Sequence, residues 1–180
     1  MRMEDLSSTG WTIIRPNNIH ELIFKCGKPC PSHLPPHAHS DLLSFDLSKD
    51  GEYIFAEAGT STYSDKKIRQ YERSGAAHNV LQLAPIKNIS KKENISYIEP
   101  VDIWGNFRAG RKAKILQKQL CRYEKGIFYL KGEHDGFRKY GASHVRSIKI
   151  ICINSTEVQF ELLDIIKCKN PMFIRQWWHL

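Results

Sequence analysis

Apolar and polar residues alternate with a period of two over most of this chain, in short runs broken by turn residues. The runs cover residues 11–15, 21–26, 42–48, 53–58, 79–84, 113–123, 127–132, 144–154 and 158–166. Each is a candidate strand, because successive side chains of an extended backbone point to opposite faces. The Asp50-Gly51 pair inside "KDGEY" predicts a tight turn, so residues 42–58 read as one hairpin. A helical period shows only around "DKKIRQYERSG". The expected class is therefore all-β, an antiparallel β-sandwich of two packed sheets. The polar stretch 85–100 reads as a surface excursion. The closing "MFIRQWWHL" reads as a strand whose apolar residues lack a partner, as in a domain cut short at its C-terminus.

With 180 residues, 41% of them hydrophobic and 11% aromatic, the chain suits one globular domain. Its division is expected as a short lead over 1–9 and a sandwich over 10–180. The formal charge of +8 and a pI near 9.3 suit a polyanionic partner. No apolar run approaches the roughly 20 residues of a membrane-spanning helix, and no membrane partner is expected. The opening "MRMEDLSSTGW" is acidic where a signal peptide is apolar. Cys26, Cys30, Cys121, Cys152 and Cys168 form no disulfide or zinc-ribbon spacing and read as ordinary thiols.

Chemistry concentrates in "PPHAHSDLLS". His37 and His39 stand two apart, the spacing that puts both imidazoles on one strand face, with Asp41 next along. Glu57 lies on the returning strand of the hairpin, and His78 precedes the next strand. His39, Glu57 and His78 together offer two imidazoles and one carboxylate, a usual zinc ligand set. His20 and His33 read as ordinary polar residues. Cupin barrels also use H-x-H, but they place a Glu four or five residues after the second His; here Asp41 follows by two.

A basic aromatic stretch, "DIWGNFRAGRKAK" (102–114), interleaves Arg108, Arg111, Lys112 and Lys114 with Trp104 and Phe107. Guanidinium groups bind carboxylate or sulfate in bidentate fashion and an indole stacks on a sugar face. A third cluster holds His134, Asp135, Arg138, His144 and Arg146, where turn chemistry at Asp135-Gly136 accounts for most of the signal.

Taken in order, these segments resemble the β-sandwich domain of heparinase II/III family polysaccharide lyases. "HAHSDLLS" (37–44), "EAGTSTY" (57–63), "RQYERSGAAHNV" (69–80), Trp104-Gly105 with Phe107-Arg108, "HDGF" (134–137) and "HVR" (144–146) follow the family's motif series. Gly75 and Val80 replace threonines, and Glu57 stands where Asp is usual. The resemblance implies that His37 is a catalytic histidine facing the sugar and that Trp104 and Arg108 contact substrate. It implies that His39, Glu57 and His78 hold a structural zinc. It implies β-elimination on a uronic-acid-containing acidic polysaccharide, with the remaining catalytic groups on an N-terminal α/α toroid domain. This chain would then be a fragment of a larger lyase, inactive alone. By the same resemblance the enzyme works in the periplasm, the cell envelope or outside the cell; a full-length chain without a leader would be cytoplasmic.

The alternative is a non-catalytic sandwich that binds acidic glycans through its basic aromatic strand. A nucleic-acid binder has only the charge in its favour, since no RRM, KH or zinc-finger pattern is present.

Overall fold

The structure, a computed structural model, describes all residues except 32, 87–94, 106–107 and 124–125. It is built mainly from antiparallel strands. Strands β1 (Arg2–Leu6), β2 (Trp11–Arg15), β3 (His20–Lys25), β4 (Phe45–Lys49) and β5 (Glu52–Phe55) form a five-stranded sheet in chain order. Later come β6 (Leu81–Pro85), β7 (Val101–Trp104) and β8 (Arg108–Lys112). Next follow β9 (Ile115–Tyr123), β10 (Ile127–His134), β11 (Ala142–Cys152) and β12 (Val158–Cys168), which form a four-stranded sheet. Two smaller sheets pair β6 with β13 (Met172–Gln176) and β7 with β8.

The two large sheets meet face to face, which makes the expected sandwich. Ile14, Leu22, Phe24, Phe45 and Leu47 from one sheet pack against Phe128, Leu130, Ile148 and Ile150 from the other. Strict alternation along β10, every second residue buried, is the sequence pattern made physical. Its buried Phe128 and Leu130 each contribute about 1.5–3 kcal/mol of hydrophobic stabilisation. Asp50 and Gly51 both take positive φ, 53° and 82°, as the tight hairpin turn between β4 and β5 requires.

Helix α1 (Lys66–Arg73) occupies the segment that showed a helical period. Its N-cap is Asp65, whose carboxylate accepts from Lys67 N at 2.8 Å and Ile68 N at 3.0 Å.

Three segments differ from expectation. The strand expected from residue 42 begins only at Phe45. Leu43 is fully buried in a left-handed turn at φ 63°, held by its amide on Lys25 O and its carbonyl on Arg146 Nη1. Residues 1–9 are not merely a lead, since β1 pairs with β2 along its whole length; its charged "RMEDL" is an edge strand with little alternation to reveal it. The C-terminal segment, expected to lack a partner, pairs with β6 as β13, and Trp178 stacks at 5.8 Å from Phe45 and 5.7 Å from Phe55. Of the expected excursion over 85–100, residues 87–94 lie outside the described residues, as does Phe107. Ile98 returns to bridge Leu83.

Candidate functional site

Two prolines set the geometry of the H-x-H segment. Pro35 and Pro36 fix φ and lack amide hydrogens, and Pro35–His37 folds as a single 3-10 turn instead of a strand. The two imidazoles therefore do not share a strand face. His37 is exposed, Ala38 is fully buried and His39 is half-buried. Arg73, itself buried, pins the turn: its Nε donates to Ala38 O at 2.9 Å and Nη2 to Pro35 O at 3.2 Å, while Ser40 N donates to Arg73 O at 2.8 Å.

His37 lines a cleft of about 1080 Å³ together with Trp11, Lys25, Lys28, Lys112 and Lys114. Lys28, Lys112 and Lys114 give this opening a cationic lining suited to an anion. Lys25 stands between this cleft and the interior. Only 7% exposed, it forms a buried ion pair with Asp41 Oδ2 and lies over the Trp11 ring at 5.4 Å.

Beneath the turn, His39, Asp41 and His78 bring one ligand atom each to within 4.8 Å of the others. His39 Nδ1 and His78 Nε2 face each other at 3.3 Å. The far nitrogen of His78, Nδ1, donates to Glu57 Oε2 at 2.5 Å, and Glu57 Oε1 accepts from Asn79 N at 2.7 Å. The structure thus brings His39 and His78 together and places Glu57 on the opposite edge of the His78 ring. Asp41 supplies the carboxylate on the shared side, where its Oδ1 is buried without a hydrogen-bond partner.

This donor set fits a divalent metal. Metal–nitrogen bonds of about 2.0–2.1 Å in a tetrahedron separate neighbouring donors by about 3.3 Å, which matches the imidazole pair. A carboxylate on the remote imidazole nitrogen is the usual outer partner of a metal-bound histidine. A metal here would be held by imidazole and carboxylate donors and would fix the backbone that carries His37. Arg69 Nη1 donates to His39 Nε2 at 3.1 Å and to Thr60 Oγ1 at 3.0 Å, so His39 now carries its proton on Nδ1. A metal held on Nδ1 would require the proton on Nε2, and Arg69 would then keep Thr60 as its acceptor.

Charge follows from these contacts. Burial pushes His39 down to about 4. Burial also opposes charge on His78, but its hydrogen bond to Glu57 and the nearby Asp41 carboxylate raise it above the ordinary value. Asp41 is held below the usual carboxylate range, because the Lys25 ammonium outweighs its burial.

Trp104 and Arg108 sit opposite each other at the β7–β8 turn, both exposed. The Trp104 ring packs against Gly110, where a Cβ would come within 2.4 Å of it. Buried Arg73 bridges the two strands, its Nη1 donating to Trp104 O at 3.4 Å and Nη2 to Arg108 O at 3.2 Å. The same guanidinium reaches Pro35 O, so the hairpin adjoins the H-x-H turn. Neither Trp104 nor Arg108 lines the cleft that His37 lines. Sequence reasoning placed Asp41 on a face with the histidines without assigning it as a donor. It missed Lys25, Lys28 and Trp11 as cleft residues; nothing local in the sequence marks them, since they reach the cleft from separate segments.

The third cluster is structural. His134, His144 and Arg146 are all buried. His134 Nδ1 accepts from Gly136 N at 3.1 Å, His134 Nε2 meets His144 Nδ1 at 3.2 Å, and His144 Nε2 meets Asp164 Oδ1 at 2.8 Å. Since Gly136 N is a donor, the proton of His134 sits on Nε2 and that of His144 on Nε2, so one file of hydrogen bonds ends on Asp164.

The chain matches the heparinase II/III-like C-terminal domain family over residues 1–180. Among solved structures it is similar to the heparinase III-BT4657 gene product, with 16% identity and a TM-score of 0.62 over 92% of this chain and 22% of that one. It is also similar to a heparinase III at 19% identity and TM-score 0.57, covering 91% of this chain and 22% of that one. A heparan sulfate lyase HepC mutant from Pedobacter heparinus gives 20% identity and TM-score 0.55, with 83% of this chain and 20% of that one covered. The chain therefore spans about a fifth of the length of these structures. No curated protein gives a significant match. The match over the full chain, with a sandwich fold shared by these lyases, identifies the chain as a member of the heparinase II/III-like C-terminal domain family.

Proposed function

We propose that this chain is the sandwich part of a polysaccharide lyase that cleaves uronic-acid-containing acidic glycans by β-elimination. The observation that carries the reading is His37, exposed on the wall of a lysine-lined cleft and mounted on a rigid turn. In the reaction a base removes the C5 proton of the uronate, the C4–O bond breaks, a C4=C5 double bond forms, and an acid protonates the departing oxygen. An imidazole serves either proton duty near neutral pH. The lysines balance the uronate carboxylate, whose charge grows toward the reacting carbon as the proton leaves. The complementary acid or base and the principal carboxylate clamp are assigned to a helical toroid domain preceding this one, with the enzyme acting in the cell envelope or outside the cell. A divalent metal, taken to be zinc, sits under the turn on His39, His78 and a neighbouring carboxylate, and supplies rigidity to the segment that carries His37.

The test is made on the polypeptide that bears this chain together with its toroid. Formation of unsaturated uronate from heparan sulfate, alginate and other uronate polymers is measured for wild type and His37→Ala. A loss of about 100-fold or more in kcat at unchanged glycan binding is expected. Equal activity of the variant would remove His37 from the chemistry.

A second reading draws on exposed Trp104 and Arg108, which suit glycan binding without catalysis. It predicts that the chain alone binds acidic oligosaccharides, that Trp104→Ala abolishes this binding, and that no unsaturated product forms with the toroid present.

A further inference from the structure

The carboxylate that completes the metal site has two candidates, Glu57 and Asp41, and their surroundings separate them. Glu57 has both oxygens engaged, one by His78 Nδ1 and one by the Asn79 amide. A ring nitrogen and its partner across the imidazole point in divergent directions, so a carboxylate bonded to Nδ1 lies away from any ion on Nε2. Asp41 lies on the other side. Its Oδ2 pairs with Lys25 while Oδ1 is buried and unpartnered, and its carboxylate, unlike that of Glu57, groups with His39 and His78. A buried carboxylate oxygen without a donor costs free energy unless something cationic meets it.

We infer that in this chain Asp41 is the third protein ligand of the metal and that Glu57 is a positioning residue, holding His78 by its remote nitrogen. This rests on the reading that a metal sits under His37. Lys25 then has a defined part: its ammonium neutralises one oxygen of Asp41 and limits the negative charge the site offers to the ion. One cation at the cleft is thereby tied to the metal centre, and the state of the site is coupled to the surface that meets glycan.

The experiment titrates the metal-free chain with Co(II), followed by its visible ligand-field spectrum, with Zn(II) affinity from competition. Wild type is expected to bind about one ion per chain. Asp41→Asn lowers affinity by about 100-fold or more and alters the Co(II) spectrum, because a donor atom is lost. Glu57→Gln lowers affinity about 10–100-fold and leaves the spectrum unchanged, the behaviour of an outer partner. Lys25→Met binds as tightly as wild type or tighter, and Lys25→Met with Asp41→Asn still loses the ion. That double variant removes the buried ammonium together with its counter-charge, so folding, checked by thermal melting without metal, does not obscure the result. If Glu57→Gln changes the spectrum and abolishes binding while Asp41→Asn stays near wild type, the ligand assignment is overturned and the metal site stands. If wild type binds no Co(II) or Zn(II), the metal reading itself fails and this inference with it.

Discussion

Arg146 and Asp164 face each other on neighbouring strands in a two-pronged ion pair, Nε to Oδ1 at 2.8 Å and Nη2 to Oδ2 at 2.9 Å. The remaining nitrogen of Arg146 donates to Leu43 O at 2.8 Å and Asn79 O at 2.5 Å. One guanidinium thus ties the four-stranded sheet to the turn after the H-x-H segment and to the residue beside His78. Arg146 is fully buried, so its loss leaves two carbonyls without this donor and Asp164 with only His144 and Gln176 as partners.

Removing that donor is expected to be severe. Arg146→Met should lower stability by about 3–5 kcal/mol, the cost of breaking a buried pair from one side. Urea unfolding of Arg146→Met, Asp164→Leu and the double variant checks this. The double variant should be less destabilised than the sum of the two singles. Additive losses would mean that the pair is energetically uncoupled.

Acid should weaken the same region. Burial lowers His134 well below its ordinary value and lowers His144 against the pull of Asp164, so the unfolded chain takes up protons at these sites first. Their contribution is fully present above about pH 6.5 and is lost as the pH falls below it. Burial opposes charge on Asp164, but hydrogen bonds from His144 and the charge of Arg146 hold it far below the carboxylate range, which adds a further loss at strongly acid pH. His78 and Asp46 shift upward and act in the opposite sense. The comparison is therefore between wild type and His144→Gln: between pH 7.5 and 5, wild type should lose more stability. An equal pH slope in the two proteins would sink the argument.

Gly132 is a packing requirement of the core under the site. A Cβ there would come within 2.3 Å of Leu43 Cδ2 and 2.9 Å of Cys26 Sγ. Gly132→Ala should cost about 1–3 kcal/mol through overpacking, and it should disturb the Leu43 turn. Thermal melting and the amide chemical shifts of residues 38–44 report on this. Unchanged shifts with unchanged melting would show that the neighbours yield freely.

Cysteine reactivity should follow burial. Cys26 lies 3% exposed, and desolvation pushes its thiol up to about 12, whereas Cys168 is exposed. Iodoacetamide under native conditions should label Cys168 early and Cys26 only on unfolding, read by peptide mass mapping. Early labelling of Cys26 would indicate that the sheets open locally at Gly10 and Gly27, where the two backbones touch.

Strand periodicity, the Asp50-Gly51 turn and helix α1 were legible in the sequence because each depends on local geometry. Alternation read from 127–132 and 158–166 is the burial pattern of β10 and β12. The charged edge strand β1 and the division of the basic aromatic strand into the β7–β8 pair were not legible, since their pairing is stabilised by neighbours more than by their own alternation. The order of the motifs from His37 to Arg146 pointed to the family that the match over residues 1–180 shows.

Where side chains converge was decided by the tertiary structure. His37 and His39 share a two-residue spacing, yet a pair of prolines and the buried Arg73 send one to the cleft and the other inward. Glu57 is chemically suited to a metal from its sequence, but its carboxylate is engaged by His78 Nδ1 and the Asn79 amide, and it is Asp41 that groups with His39 and His78. The sequence by itself determined which residue types were present and which backbone elements they form. Which atoms meet depended on long-range packing between segments separated by tens of residues, and no local pattern encodes those distances.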